Sequence, residues 1–137
     1  MTDIVERQLR RWAASEFDWG KTDCSMVLAD YVLEATGRDG ASHLRGRYDD
    51  LIACVHLTDF LRRGLETVVA GCAERAGLVR TIAPCRGDIG VLELTRGRKL
   101  GGLCLGDRWA VKSTDGVLFI DHPVVAAAWA VFESRRA

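Results

Sequence analysis

Apolar residues in the first part of the chain recur with helical spacing. In residues 3–15 they fall on one face, with arginines between them, which predicts an amphipathic helix. In residues 24–36 they surround most of the circumference, which predicts a buried central helix. Thr22 or Asp23 is placed to cap the start of this second helix, and Gly37 to end it in a left-handed conformation.

The pattern changes from helix to strand in the second half. Two shorter helices are predicted over residues 50–63 and 65–76, divided by Gly64. Short apolar runs separated by turn residues then predict an antiparallel meander with strands over residues 88–94, 100–105, 108–112 and 117–120. After these, residues 124–128 are interpreted as a helical turn and residues 129–132 as a last strand.

This order of elements indicates the fold class. Helices followed by strands predict an α+β domain in which the N-terminal helices pack on a C-terminal antiparallel sheet. The chain has 137 residues, 48% of them hydrophobic, which is enough for one core, so we expect a single domain over residues 1–137.

Charge and hydropathy exclude several function classes. The 19 basic side chains balance the 19 acidic ones, so nucleic acid is not an expected partner. No apolar run approaches the length of a membrane span, and the N-terminal residues lack the layout of a signal peptide, so synthesis in the cytoplasm without membrane insertion is expected. The five cysteines are irregularly spaced without a C-x-x-C pair, and we predict neither a disulfide framework nor a metal or cofactor site.

One cysteine lies where a nucleophile could be activated. Cys24 falls in the predicted first turn of the central helix, where free backbone N–H groups and the helix dipole favour a thiolate. A nucleophile of this kind also needs a base, normally a histidine on a facing element. The alternative is a packing cysteine, because Cys24 shares a helix face with Val27, Leu28 and Tyr31.

Three segments together resemble a known peptidase fold. Residues 19–25 read WGKTDCS at a helix start, residues 86–89 read RGDI at the start of a sheet, and residues 102–106 read GLCLG in the next strand. This order resembles the bacterial NlpC-type branch of the papain-like cysteine peptidases over roughly residues 15 to 120. The resemblance implies a papain-like fold and places Cys24 at the position of the nucleophile that attacks cell-wall peptides.

The histidine of that family is missing from its expected place. The family has it at the opening of the second strand, where residues 99–101 read KLG, and its third polar position falls near residues 111–112. Three other histidines are present. His43 follows the far end of a helix about 18 Å long, and His56 lies in a helical segment without a catalytic part in the family. His122, which follows the fourth strand, is therefore the candidate base if the chain is active.

A narrower resemblance indicates in which kind of particle the protein occurs. The WGxxDC run, RGRY at 45–48, GDI at 87–89, GGLCLG at 101–106 and AAW at 127–129 resemble a small family encoded among tail genes of siphophages, prophages and gene-transfer-agent-like particles. The resemblance implies a tail-tip or baseplate component in the virion, with other tail-tip and hub proteins as partners. It also implies a papain-like fold that has lost the catalytic histidine.

Three functional readings follow from these observations. The first is a structural or docking protein of a tail tip, without hydrolase activity, for which Trp19, Arg45, Arg47 and Tyr48 are the candidate partner-binding residues. The same arginines could instead pair with carboxylates of their own chain. The second reading is a cysteine peptidase or amidase that acts on peptidoglycan with Cys24 as nucleophile, and the third is a tail-assembly chaperone.

Overall fold

The computed structural model describes residues 3–132 and has the predicted α+β architecture. Residues 1–2 and 133–137 of the predicted domain lie outside the described part. The helices are α1 (Ile4–Ala14), α2 (Met26–Thr36), α3 (Leu51–Thr58), α4 (Phe60–Arg63) and α5 (Leu65–Arg75). The strands are β1 (Val79–Arg80), β2 (Ile89–Glu93), β3 (Lys99–Cys104), β4 (Arg108–Ser113), β5 (Gly116–Asp121) and β6 (Val124–Ala130). The helices precede the sheet along the chain, as the order of patterns predicted.

The first two helices begin and end where local chemistry requires. The Asp3 carboxylate accepts a hydrogen bond from the Glu6 N–H at 2.9 Å and caps α1, whose buried face includes Trp12. Helix α2 ends at Gly37, which has φ of 77° and lets its N–H bond the Leu33 carbonyl. The predicted left-handed ending of α2 is confirmed.

The six strands form one antiparallel sheet in the order β1-β6-β2-β3-β4-β5. Only His122 and Pro123 connect β5 to β6, and three Cα–Cα steps span at most about 11 Å. In a flat sheet, the four strand spacings between β5 and β6 would separate them by about 19 Å. The sheet is therefore strongly curved, which brings the end of β5 to the start of β6.

The two faces of the sheet carry different cores. One face packs against α1, α2 and α5 through residues such as Val91, Leu103 and Ala110. The opposite face has its own buried cluster of strand residues, which are Leu92, Cys104, Trp109, Val111 and Ala128. Since these are strand residues, the curvature of the sheet itself covers them. The Trp109 ring fits there because Gly90 and Gly102, paired across β2 and β3, leave its ring atoms 3.0 Å and 3.4 Å from where their Cβ atoms would stand.

Three details differ from the sequence predictions. The helical turn expected over 124–128 is wrong, because those residues belong to β6. Pairing with β1 on one side and β2 on the other overrides the weak strand propensity of an alanine-rich run. The helix predicted over 50–63 is interrupted at Asp59, whose φ of 56° separates α3 from α4. Strand β1 was not predicted, since two residues are too short for a periodic signal.

Candidate functional site

The carboxylate of Asp23 joins two of the segments that carry the sequence resemblance. Its Oδ1 accepts hydrogen bonds from the Ser25 and Met26 N–H groups, both at 3.0 Å, at the start of α2. Its Oδ2 accepts from the Gly20 N–H at 2.8 Å and from the Tyr48 hydroxyl at 2.7 Å. Asp23 is only 2% exposed, so these four donors replace its hydration.

Gly20 fits this junction because a side chain would not. Its φ is 83°, and a Cβ would lie 2.1 Å from the Tyr48 carbonyl oxygen. The Gly20 carbonyl also accepts from the Gly46 N–H at 3.0 Å. The WGxxDC and RGRY runs are therefore parts of one structural junction. Asp23 supplies the side-chain cap bonds predicted for it, although the N-cap position of α2 is Ser25.

Cys24 follows directly in the chain, one residue before the N-cap of α2. It is half-buried. Together with Leu100, it packs against the cluster of strand residues that includes Leu92 and Trp109, on the face of the sheet opposite to the helices. Desolvation by burial and, to a smaller extent, the neighbouring Asp23 carboxylate raise the pKa of the Cys24 thiol to about 11. The backbone N–H of Gly101 and the Ser25 hydroxyl lower the pKa without reversing the shift. The prediction that Cys24 lies in the first turn of α2 is wrong, because the helix begins at Met26, and burial and a neighbouring negative charge raise the pKa of the thiol.

The segment that holds the histidine in the resembling enzymes has other contacts here. A Cβ at Gly101 would lie 2.8 Å from Cδ1 of Leu28 and 3.3 Å from the Cys24 carbonyl oxygen, so the start of α2 rests on bare backbone. Lys99 forms an ion pair with Glu66 at 2.7 Å. Neither residue offers a proton acceptor to the thiol.

The third polar position of those enzymes is also occupied by a structural group. Lys112 is 2% exposed, and its ammonium donates hydrogen bonds to the carbonyl oxygens of Trp12 and Ser15. These carbonyls lie at the C-terminal end of α1, where a cation is favoured by the helix dipole. Lys112 therefore fastens α1 to β4.

His122, the candidate base, lies away from the thiol. His122 is exposed in the connection between β5 and β6 and has φ of 48°. Strand β2 separates β6 from β3, so Val125 is two strand spacings, about 10 Å, from Leu100, and His122 lies farther along. In residues 3–132, no histidine hydrogen-bonds to the Cys24 sulfur.

A large apolar cavity lies beside Cys24. Its volume is about 650 Å³, and it opens between α2, the helices α3 to α5 and the turn that precedes β3. Trp19, Asp23 and Cys24 line it, as do Cys54 and Cys72 from the helices opposite. No histidine of the described residues lines this cavity. Hydrophobic periodicity did not reveal it, because the cavity forms between helices that are distant in sequence.

Comparison with known proteins gives one match. The sequence profile of a domain of unknown function, DUF6950, matches residues 2–131, which is nearly the whole chain. The chain belongs to the DUF6950 family. No curated protein and no solved structure matches it.

The four residues predicted to bind a partner differ in availability in this DUF6950 domain. Tyr48 is buried against Asp23, and Arg45 bonds Asp30 at 2.6 Å and Asp39 at 2.8 Å within its own chain. Arg47 is exposed, with one guanidinium contact of 3.4 Å to the His43 carbonyl. Trp19 is half-buried, lines the cavity and contacts Phe17 edge to face. Trp19 and Arg47 therefore keep surface that another chain can reach.

Residues 3–132 lack both a metal-binding cluster of side chains and a helix that could span a membrane. No group of three or more histidine, cysteine or acidic side chains in this part of the chain is arranged to hold a metal ion. None of the helices described is long and apolar enough to cross a membrane.

The role of Lys112 leads to a stability prediction. Lys112→Met keeps the length of the side chain but removes the ammonium that donates to the Trp12 and Ser15 carbonyls, of which the Trp12 carbonyl keeps a bond from the Ser15 hydroxyl. We expect the free energy of unfolding to fall by about 1 to 3 kcal/mol, measured by urea denaturation. Lys99→Met, which removes a half-exposed ion pair with Glu66, is the matched control and should cost less than about 1 kcal/mol. An equal loss in both variants would contradict the fastening role of Lys112.

Proposed function

We propose that this protein is a structural or docking component of a phage or phage-like tail tip or baseplate, built on a papain-like domain without hydrolase activity. The sequence resemblance supports the setting, and the α+β order of helices and antiparallel strands is compatible with the fold. The observation that carries the proposal is chemical. The Cys24 thiol has a raised pKa, and its hydrogen-bonding neighbours are the Gly101 N–H and the Ser25 hydroxyl rather than a base.

The loss of hydrolysis follows from this arrangement. A thiolate is the nucleophile in cysteine peptidases, and an imidazole normally accepts the proton of the thiol. Because the pKa of the thiol is raised well above neutral pH, the thiolate is a minor species at pH 7. The polar residues that could have supplied catalytic groups, Asp23 and Lys112, are engaged in holding the fold together.

A cysteine peptidase or amidase is the second candidate, and one observation favours it. Cys24 lines an open cavity, and the Gly101 N–H that donates toward its sulfur would also stabilise a thiolate. A peptidase would still need a base from outside the described residues or from a substrate-induced rearrangement. A tail-assembly chaperone is the third, and it is distinguished by its absence from purified particles.

Thiol alkylation separates the first two candidates. We expect iodoacetamide to label Cys24 slowly at pH 7, with a rate that keeps rising as the pH approaches 11, because only the thiolate reacts. Exposed Cys85 serves as the internal reference, and peptide mapping by mass spectrometry follows each cysteine separately. Labelling of Cys24 as fast as that of Cys85 at pH 7, together with peptidoglycan release that Cys24→Ser abolishes, would establish the peptidase instead.

A further inference from the structure

The outer edge of strand β5 has no strand partner within residues 3–132. The strand lies at one end of the sheet order, and its six residues pair with β4 alone. Because alternate residues of a strand direct their N–H and C=O groups to the same side, about three groups of each kind face outward from β5. The edge at the other end of the sheet is much shorter, since β1 has only two residues. The sheet therefore ends in one long row of backbone groups that can bind another strand.

Strand β5 lacks the features that keep an edge strand from pairing. Proteins protect such edges with positively charged side chains, proline, a bulge or a covering segment. Strand β5 contains no lysine, arginine or proline, and its pairing with β4 runs without a register shift, so it has no bulge. Its one charged side chain, Asp121, forms an ion pair with Arg108 at 2.9 Å. The β5 edge therefore favours pairing with a further strand.

The centre of β5 is apolar and open on both faces of the sheet. Phe119 lies opposite Ala110, on the face that carries the helices, and Leu118 lies opposite Val111, on the other face. Although α1 contacts β5, Phe119 is 51% exposed, and Leu118 is 50% exposed. A strand added to this edge would bury apolar side chains on both faces. Its own side chains must then be apolar on both faces, and β5 is itself such a strand.

Symmetry and charge select one register for two β5 strands. A two-fold axis perpendicular to the sheet pairs them antiparallel and keeps each face continuous, so the axis passes beside a single residue of each strand. The two registers that pair most of β5 centre on Leu118 or on Phe119. Centring on Leu118 would place Asp115 opposite Asp121 of the second copy, and like charges directly opposite each other are destabilising. Centring on Phe119 places Phe119 opposite itself and Leu118 opposite Ile120, with no two charged side chains opposite each other.

We propose that two copies of the chain join through β5 as an antiparallel, two-fold symmetric pair in which Phe119 lies opposite Phe119 of the second copy. The paired aromatic side chains stabilise the contact across the axis. The formal net charge of the chain is zero, so the two copies have no overall repulsion. Because the contact uses the long free edge of both copies, assembly ends at two chains. This dimer goes beyond the proposed docking function and does not depend on it.

Sedimentation equilibrium of the full chain tests this proposal. We expect the mass of the native chain to rise with concentration from one chain to two. Phe119→Lys and Phe119→Glu each place two like charges opposite each other at the axis, so each should weaken the dimer at least tenfold. An equimolar mixture of these two variants should dimerise again, because the introduced charges then have opposite signs. Leu61→Lys, at an exposed leucine of α4, is the matched control and should leave dimerisation unchanged.

Cysteine cross-linking measures the register. Residues directly opposite each other in an antiparallel pair have Cα atoms about 4.5 to 5.5 Å apart, which a disulfide can span. The variants carry Cys85→Ser, which removes the exposed native thiol. With diamide as the oxidant, Phe119→Cys should give a disulfide-linked dimer, and Leu118→Cys should give far less. Ile82→Cys, at a fully exposed position after β1, measures cross-linking by random collision.

A native chain that stays monomeric at millimolar concentration would overturn the proposal. So would equal weakening of the dimer by Phe119→Lys and Leu61→Lys, a mixture of the two charge variants that stays monomeric, or an assembly larger than two chains. Stronger cross-linking through Leu118→Cys or Ile82→Cys than through Phe119→Cys would exclude the proposed register and thus the proposal. These measurements involve neither the Cys24 thiol nor peptidoglycan, so their failure is separate from failure of the proposed function.

Discussion

Replacing Asp23 by alanine is expected to lower the free energy of unfolding by about 3 to 5 kcal/mol. The substitution leaves four donors without their acceptor in a site that is 2% exposed at Asp23. Two of these donors begin α2, one belongs to the turn at Gly20, and the last is the Tyr48 hydroxyl. The loss thus combines an uncapped helix with a buried hydroxyl and a buried N–H that have no partner.

Urea denaturation of Asp23→Ala beside Asp50→Ala isolates the effect of the junction. Asp50 also caps a helix, accepting from the Ala53 N–H at 2.7 Å, but it is exposed and has this single cap bond. We expect Asp50→Ala to cost about 0.5 to 2 kcal/mol, as ordinary caps do. Tyr48→Phe removes only the hydroxyl, and its loss in free energy of unfolding should lie between those of Asp23→Ala and Asp50→Ala. If Asp23→Ala costs no more than Asp50→Ala, Asp23 is an ordinary cap and the junction carries no extra stability.

Local signals predicted the fold where local chemistry decides it. The terminator Gly37 and the turn at Gly106 and Asp107 between β3 and β4 lie where the sequence predicted them. Each depends on neighbours within a few residues, so sequence patterns report them well. The course of β6 depends instead on β1 and β2, which are distant in the chain, and the alanine-rich run carries little information about that pairing.

The sequence predicted individual residues of the candidate site but not the contacts between them. The capping role of Asp23 followed from its position, whereas its bond to Tyr48 joins residues 25 positions apart and has no periodic signal. The choice between a nucleophilic and a packing Cys24 stayed open in the sequence for a related reason. A helix start lowers a thiol pKa, but burial against the cluster of strand residues around Trp109 depends on tertiary packing and raises it. Arg45 similarly paired with Asp30 and Asp39, which sequence spacing alone could not choose over a partner chain.

Introducing a histidine at position 100 is expected to restore thiol reactivity. Leu100 lines the same cavity as Cys24 and packs against the same cluster of strand residues, and Gly101 after it donates its N–H toward the sulfur. An imidazole in Leu100→His would accept the thiol proton, and the resulting imidazolium would stabilise the thiolate. We expect the rate of Cys24 alkylation at pH 7 to rise at least tenfold, with a loss of stability of about 1 to 3 kcal/mol from the polar substitution.

The control for this gain is a polar side chain that does not titrate. Leu100→Asn opens the packing around Cys24 to a similar extent but supplies no base, so its alkylation rate at pH 7 should stay near that of the native chain. The Leu100→His rate should also fall when the pH drops below the ordinary histidine range near 6.5, because the imidazole is then protonated before it can accept the thiol proton. Equal Cys24 alkylation rates in Leu100→His and Leu100→Asn would show that the missing base is not the reason why the native thiol reacts slowly. Burial of the sulfur would then be the cause, because any polar substitution at position 100 that admits water would activate the thiol equally.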